Sequence, residues 1–101
     1  MATPLTDATV HRIARMFPLE DQDLVCAVLI EECGDNLPLT ATDSGIERIR
    51  FAVLKLSGGD LNALQRAIDL AKIDGRDVLV AAGFGSDVTA HRTWWPDAPA
   101  R

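Results

Sequence analysis

The sequence has no long hydrophobic run. Its longest apolar stretch, Leu24 to Ile30, is far shorter than the roughly 20 apolar residues that a helix needs to cross a bilayer. The opening segment MATPLTDATV has no positive region followed by an apolar core, so it does not resemble a secretory signal peptide. We therefore expect no membrane association and a cytoplasmic location.

Cysteine is also scarce, because Cys26 and Cys33 are the only two in the chain. They lie in a segment that we expect to be helical, which would separate their Cα atoms by about 10 Å. A disulfide requires a Cα separation below about 7 Å. Both thiols are thus predicted to be reduced, as is usual in the cytosol.

Positive charge is outnumbered by negative charge, and the net charge is −5. A protein that binds nucleic acid or acidic membranes in general needs a field that attracts phosphate, so this balance makes nucleic acid an unexpected partner. Lys55 and Lys72 are the only lysines among ten basic residues. Together with abundant alanine and aspartate, this bias is typical of GC-rich bacterial genomes.

The remaining composition is that of a globular protein. Hydrophobic residues make up 48% of the 101 residues and charged residues 25%, which is unlike a disordered chain. A chain of this length suffices for one domain that folds without a cofactor. We expect a single helical domain over 1–101, with 86–101 as a C-terminal tail or short helix.

Apolar residues recur at helical spacing along the chain, and no strand-like alternation persists. The pattern predicts an all-α fold, a small orthogonal or antiparallel bundle of short helices. Five helices are predicted at about 7–17, 19–33, 44–57, 61–73 and 75–82, and a short sixth helix would lie near 87–95.

Local signals define the ends of these helices. The predicted N-caps are Thr6, Asp60 and Asp74. Ser44 and Glu47 fit the S-x-x-E capping box. Pro18 suits the first turn of the second helix, and Gly34 can take the left-handed position after it.

Two helices carry patterns that predict how they pack. The first helix has a short stripe formed by Val10, Ile13, Ala14 and Phe17. The second contains LVCAVLI, which is apolar nearly all round, whereas a surface helix shows a one-sided stripe. The second helix is therefore expected to be central, or to place its other face against another subunit.

The stretch LAKIDGRDVLVAAGFG, residues 70–85, suits three structures. Ala71 and Gly75 have the spacing of a helix-turn-helix, but the second helix would offer DNA only Arg76 as a basic residue and no Asn, Gln, Ser or Thr. Gly83 and Gly85 begin a phosphate-loop pattern that lacks its third glycine. A DNA-binding regulator of the helix-turn-helix type is kept as an alternative function.

The third structure explains more of the same stretch. In it, two packed helices are separated by the cap at Asp74, and Val78, Leu79 and Ala82 face inward. Gly83 would end the second helix in a left-handed conformation, with Phe84 packing back on it. We therefore predict that the polar and glycine residues of this stretch only end one helix and begin the next.

Candidate catalytic residues are few. Adjacent Glu31 and Glu32 point about 100° apart on a helix, so they do not form a facing pair, although the C-terminal half of a helix is an unfavourable place for them. Cys33 could meet His11 or His91 in space. A small enzyme using Cys33 or Glu31 and Glu32 is the second alternative function.

Metal and cofactor sites are not predicted. Cys26, Cys33, His11 and His91 supply ligand atoms, but the C-x-x-C or H-x-x-x-H pairs of structural zinc sites are missing. A buried free cysteine usually acts as a small hydrophobic residue.

The C-terminal segment SDVTAHRTWWPDAPAR holds the candidate interaction residues Arg92, Trp94 and Trp95. Two adjacent large aromatic side chains do not easily face the same core, so one is expected to pack on the bundle and the other to stay at the surface. The alternative is that both rings cover the open end of the bundle. Arg92 could stack on either ring. Because tryptophan is enriched at interface hot spots, we expect a non-enzymatic interaction or regulatory module that self-associates, as a homodimer or with a protein partner.

Overall fold

Six α-helices build the protein in a computed structural model that describes residues 4–34, 43–85 and 90–96. Within these ranges no strand occurs, so the predicted all-α bundle is confirmed. The helices are α1 Asp7–Met16, α2 Leu19–Glu32, α3 Asp43–Ser57, α4 Leu61–Ile73, α5 Gly75–Ala81 and α6 Ala90–Thr93. None of these helices is long and apolar enough to pass through a bilayer.

The predicted helix ends are accurate because capping is local. The first five helices begin and end within one residue of their predicted bounds, and α6 lies inside the predicted sixth helix. The three predicted N-caps accept hydrogen bonds from backbone N–H groups of the following turn. The pairs are Thr6 Oγ1 with Thr9 at 3.2 Å, Asp60 Oδ2 with Ala63 at 3.0 Å and Asp74 Oδ1 with Arg76 at 3.0 Å.

The end of α5 confirms the prediction that Gly83 ends the second of two packed helices in residues 70–85. Gly83 has a φ of 83°, and its N–H donates to the carbonyl of Val80 at 3.0 Å. The N–H of Phe84 donates to the carbonyl of Leu79 at 2.8 Å. This is the paired bonding of a Schellman ending, so Gly83 serves to terminate a helix.

Predictions at the two ends of α2 need correction. Pro18 precedes the helix as its N-cap residue instead of occupying its first turn. Phe17, the residue before this proline, is extended at φ −121°, as the proline ring favours. Gly34 is not left-handed; a Cβ there would lie 2.9 Å from Nη2 of Arg50, so glycine leaves room for that guanidinium. The side chain of Ser44, and thus its capping box with Glu47, lies outside the described residues.

The central helix of the bundle is α3, so the first of the two alternatives given for α2, a central position, is wrong. Residues 51–54 of α3 are all buried, and four consecutive residues of a helix point in all directions around it. Helices α4, α5, α1 and α6 pack around α3. Helix α2 packs mainly on α1. Its Val25 and Leu29 are buried in the common core, while Leu24 is 53% exposed.

The buried face of α1 also differs from the predicted stripe. Ile13 is buried as expected, but the other buried residues of the helix are Thr9 and Arg12, while Val10 and Ala14 are exposed. The predicted stripe treated the arginine as a surface residue, as arginine usually is. The burial of Arg12 brings α1 into contact with the C-terminal segment.

Candidate functional site

The segment Ala90–Pro96 is held against α1 by the guanidinium of Arg12. Its Nε donates to the carbonyl of Trp94 at 3.1 Å, and Nη2 donates to the same carbonyl at 2.9 Å and to that of Arg92 at 3.4 Å. Its Nη1 donates to the carbonyl of Ala8 within α1 at 2.9 Å. One side chain therefore ties two segments that are about eighty residues apart in sequence.

The same guanidinium lies between two aromatic rings. Its Cζ is 3.7 Å from the ring centroid of Trp95 and 4.1 Å from that of Phe51, well within cation–π range. Arg15, one turn further along α1, has its Cζ 6.0 Å from Trp95 and donates Nε to the carbonyl of Pro96 at 3.3 Å. The Trp95 ring is thus fixed on α1 by two arginines.

Arg12 is a buried cation, with only 2% of the residue exposed. Among the described residues its hydrogen-bond acceptors are all backbone carbonyls. Burial lowers the pKa of Arg12, and the negative charge of Glu47 opposes that shift. Because a guanidinium stays protonated in proteins, its charge is stabilised here by carbonyl dipoles and ring faces.

The two adjacent tryptophans face different surroundings, as predicted. Trp94 packs on the core, with its ring centroid 6.3 Å from Phe51 and 6.2 Å from Phe84, whereas Trp95 is 47% exposed. The stacking expected of Arg92 is instead made by Arg12 and Arg15. Arg92 contributes its backbone carbonyl, and its side chain is exposed.

His91, which lies on helix α6 three residues before Trp94, is fully buried. Its ring is edge-on to Phe51 at 5.3 Å and to Phe84 at 6.3 Å between centroids. Neither ring nitrogen has a hydrogen-bond partner among the described residues, although Oε1 of Glu47 lies 3.5 Å from Nε2. The other carboxylate oxygen of Glu47 accepts a 2.7 Å hydrogen bond from the hydroxyl of Thr6.

This arrangement does not activate a nucleophile. In a catalytic triad the imidazole lies between the hydroxyl and the carboxylate, so that it can take the hydroxyl proton. Here the carboxylate of Glu47 lies between Thr6 and His91. The imidazole packs edge-on against the rings of Phe51 and Phe84.

The burial of His91 has a consequence for stability. Burial lowers its pKa, and so do Arg92 and Arg48, while Glu47 acts in the opposite direction. Above about pH 6.5 the ring is neutral in both the folded and unfolded chain. As the pH falls below that value, the unfolded chain takes up a proton that the folded protein resists, so the free energy of unfolding should decrease by up to about 1.4 kcal/mol per pH unit.

Urea titrations between pH 7.5 and 5 measure this effect. His91→Phe should remove the decrease, because the variant has no titrating ring at this position. His11→Gln is the matched control, since His11 is exposed on α1, and it should keep the decrease. An unchanged slope in His91→Phe would show that other groups cause the pH dependence.

The residues of the enzyme alternative are not assembled into a site. Cys33 is buried, and burial raises the pKa of its thiol to about 12 against the opposing charges of Arg50 and Lys72, so it is poorly suited to form a nucleophilic thiolate. Glu32 forms an ion pair with Lys72 at 2.7 Å, and Glu31 is exposed. His11 and His91 lie on α1 and α6, and no three possible ligand residues cluster in the described parts of the chain.

The turn between α4 and α5 presents little that would bind DNA. Arg76, the basic residue considered above for DNA contact, has Nε 3.7 Å from Oδ1 of Asp74. The other exposed residues of this seven-residue helix are Asp77, Val80 and Ala81. A helix that reads base edges uses polar or basic side chains, and this face carries mainly apolar and acidic ones.

Sequence reasoning found the tryptophan pair but missed Arg12 and Phe51 as its partners. The available signal was weak. Arg12 lies three residues after Thr9 and one before Ile13, on the face where a buried apolar residue would be expected.

Comparisons with protein-family models, curated proteins and solved structures found no match to this chain. Its class therefore follows from its own fold and site. It is a small all-α protein in which a buried arginine holds a C-terminal segment, with one tryptophan packed against the core and the other at the surface.

Proposed function

We propose that this chain is a non-enzymatic protein-interaction module that self-associates through the surface around Trp95. The observation that carries the proposal is that Trp95 is half exposed yet held on α1, 3.7 Å from the guanidinium of Arg12. Large aromatic side chains with this combination of exposure and fixed position are typical of binding hot spots.

The fixed position of Trp95 favours binding for an entropic reason. A mobile side chain loses conformational freedom when it enters an interface, at a cost of about 0.5–1.5 kcal/mol. Trp95 has lost that freedom in the monomer, because Arg12 and Arg15 hold the ring and Arg15 also binds the carbonyl of Pro96. A partner that covers the exposed part of the ring gains apolar contact without this cost.

The proposed setting is the bacterial cytoplasm. Cys26 and Cys33 are both free thiols, which suits a reducing compartment. The arginine-rich, alanine-rich composition supports a bacterial source. The proposed cytoplasmic location and the proposed bacterial source do not depend on the interaction surface.

Trp95→Ala is the experiment that tests the proposed function. Removing a hot-spot residue costs at least about 2 kcal/mol of binding free energy, so the dissociation constant for self-association should rise about 30-fold or more. Sedimentation velocity over a series of protein concentrations measures this constant. The far-UV circular dichroism of the variant should stay unchanged, because Trp95 lies outside the helices.

Ile73→Ala is the matched control. Ile73 is 79% exposed at the end of α4, so the variant removes a similarly exposed apolar side chain from another surface. It should associate like the wild type. A wild-type protein that stays monomeric at high concentration would contradict the proposed function, and so would equal association of wild type and Trp95→Ala.

A further inference from the structure

Two surfaces of the protein have opposite charge and an exposed apolar side chain each. The first is the acidic face of α2, which consists of the exposed residues Glu20, Asp23, Leu24, Ala27 and Glu31. Their spacing of three and four residues puts them on one side of the helix. The whole of α2 carries five acidic residues and no basic one.

The second surface is the arginine–tryptophan face, which consists of the exposed residues Arg15 and Trp95. The Cζ of Arg15 lies 6.0 Å from the centroid of the Trp95 ring. The buried charge of Arg12 directly below the ring adds to the positive potential of this face. The positive patch stands out on a chain whose net charge is −5.

We propose that the protein associates head to tail, with the arginine–tryptophan face of one copy on the acidic face of α2 of the next. This inference rests on the proposed function and names the partner surface. Two acidic faces repel each other, and so do two arginine–tryptophan faces, because like charges at an interface are costly. The mixed pairing places arginines beside carboxylates and Trp95 beside Leu24.

Helix α2 is well placed for this role. It lies at the edge of the bundle and packs mainly on α1, and its buried residues Val25 and Leu29 join the common core. Leu24, which begins the apolar stretch LVCAVLI, is 53% exposed on another side of the helix. A copy that docks there covers the apolar surface that the bundle leaves open.

Head-to-tail contact has a consequence for the size of the assembly. A contact between two different faces leaves one free face at each end of a dimer, so the assembly grows into a ring or an open chain. Average mass should therefore rise beyond that of a dimer as the concentration increases. High salt should weaken the assembly, because it screens the charge pairs at the interface.

Mixing two blocked variants tests the head-to-tail arrangement. Trp95→Ala removes the aromatic side chain of the arginine–tryptophan face, and Leu24→Arg replaces the apolar side chain of the acidic face with a cation that repels the arginines of the next copy. Each variant alone should be monomeric at a concentration where the wild type associates. An equimolar mixture restores one complementary contact and should give a complex of two copies that grows no further, as measured by sedimentation velocity.

Each of the other outcomes contradicts either the head-to-tail arrangement or the proposed function. If Leu24→Arg associates like the wild type while Trp95→Ala does not, the association uses two copies of the tryptophan face and the head-to-tail arrangement is wrong. If both variants are monomeric alone and in the mixture, the arrangement is also wrong. If Trp95→Ala associates like the wild type, the proposed function itself fails. Ile73→Arg is the charge-matched control and should associate like the wild type.

Discussion

Replacing Arg12 with alanine is expected to lower the free energy of unfolding by about 3–5 kcal/mol. The change leaves the partly buried carbonyls of Trp94 and Arg92 without the donor that Arg12 supplies, and an acceptor left unpaired where water does not reach it costs about 1–3 kcal/mol. It also leaves a cavity between the rings of Phe51 and Trp95, which loses packing energy. Urea unfolding followed by far-UV circular dichroism measures the loss.

Two further variants separate charge from packing. Arg12→Met fills much of the same space without donating to the carbonyls, and it avoids burying a cation, so its loss of stability should be smaller than that of Arg12→Ala. Arg15→Ala removes an exposed guanidinium with one hydrogen bond to Pro96 and should cost less than about 1 kcal/mol. Equal losses for Arg12→Ala and Arg15→Ala would refute the role given to Arg12.

Replacing Phe51 with alanine is expected to cost about 3–5 kcal/mol of stability, the usual range for a buried phenylalanine. Phe51 is 1% exposed on the central helix α3. Its ring contacts the side chains of Arg12, His91 and Trp94. The cavity would therefore open beneath the C-terminal segment and loosen its contact with the bundle.

Tryptophan emission reports this loosening directly, because Trp94 and Trp95 are the only tryptophans of the chain. In Phe51→Ala the emission should shift to longer wavelength under conditions where the helical circular dichroism is still native. Phe51→Leu keeps an apolar side chain at the position and should show a smaller loss of stability. A native emission spectrum in a destabilised Phe51→Ala would mean that the segment does not depend on this ring.

The helix bounds were predictable because they depend on short-range chemistry. Asp60 and Asp74 cap helices by bonding to N–H groups two or three residues ahead, and Gly83 ends α5 with bonds inside a single turn. Such signals lie within a few residues of sequence. They are independent of how the helices pack afterwards.

The packing of the helices was less predictable because it depends on distant partners. Apolar composition alone suggested that α2 is central, yet α3 is the surrounded helix and α2 lies at the edge. Gly34 was expected to be left-handed, whereas it gives room to Arg50 from α3. Neither outcome follows from local residue patterns, because each is decided by side chains on another helix.

In the candidate site, too, the local feature was predictable and the contact with a distant residue was not. Adjacency of Trp94 and Trp95 was enough to predict that one ring packs inward while the other stays at the surface. The cation that stacks on Trp95 was expected to be its sequence neighbour Arg92, but it is Arg12 from the first helix. Burial of an arginine can be recognised only when its carbonyl acceptors, here in the C-terminal segment, are known.

The indole N–H signals of Trp94 and Trp95 in a proton–nitrogen correlation spectrum test the central claim most directly. The chain gives two such signals, and Trp95→Ala assigns them by removing one. As the concentration rises from micromolar to millimolar, the Trp95 signal should move with the backbone signals around Leu24, while those around Ile73 stay in place. A Trp95 signal that does not move while the protein associates would contradict the account.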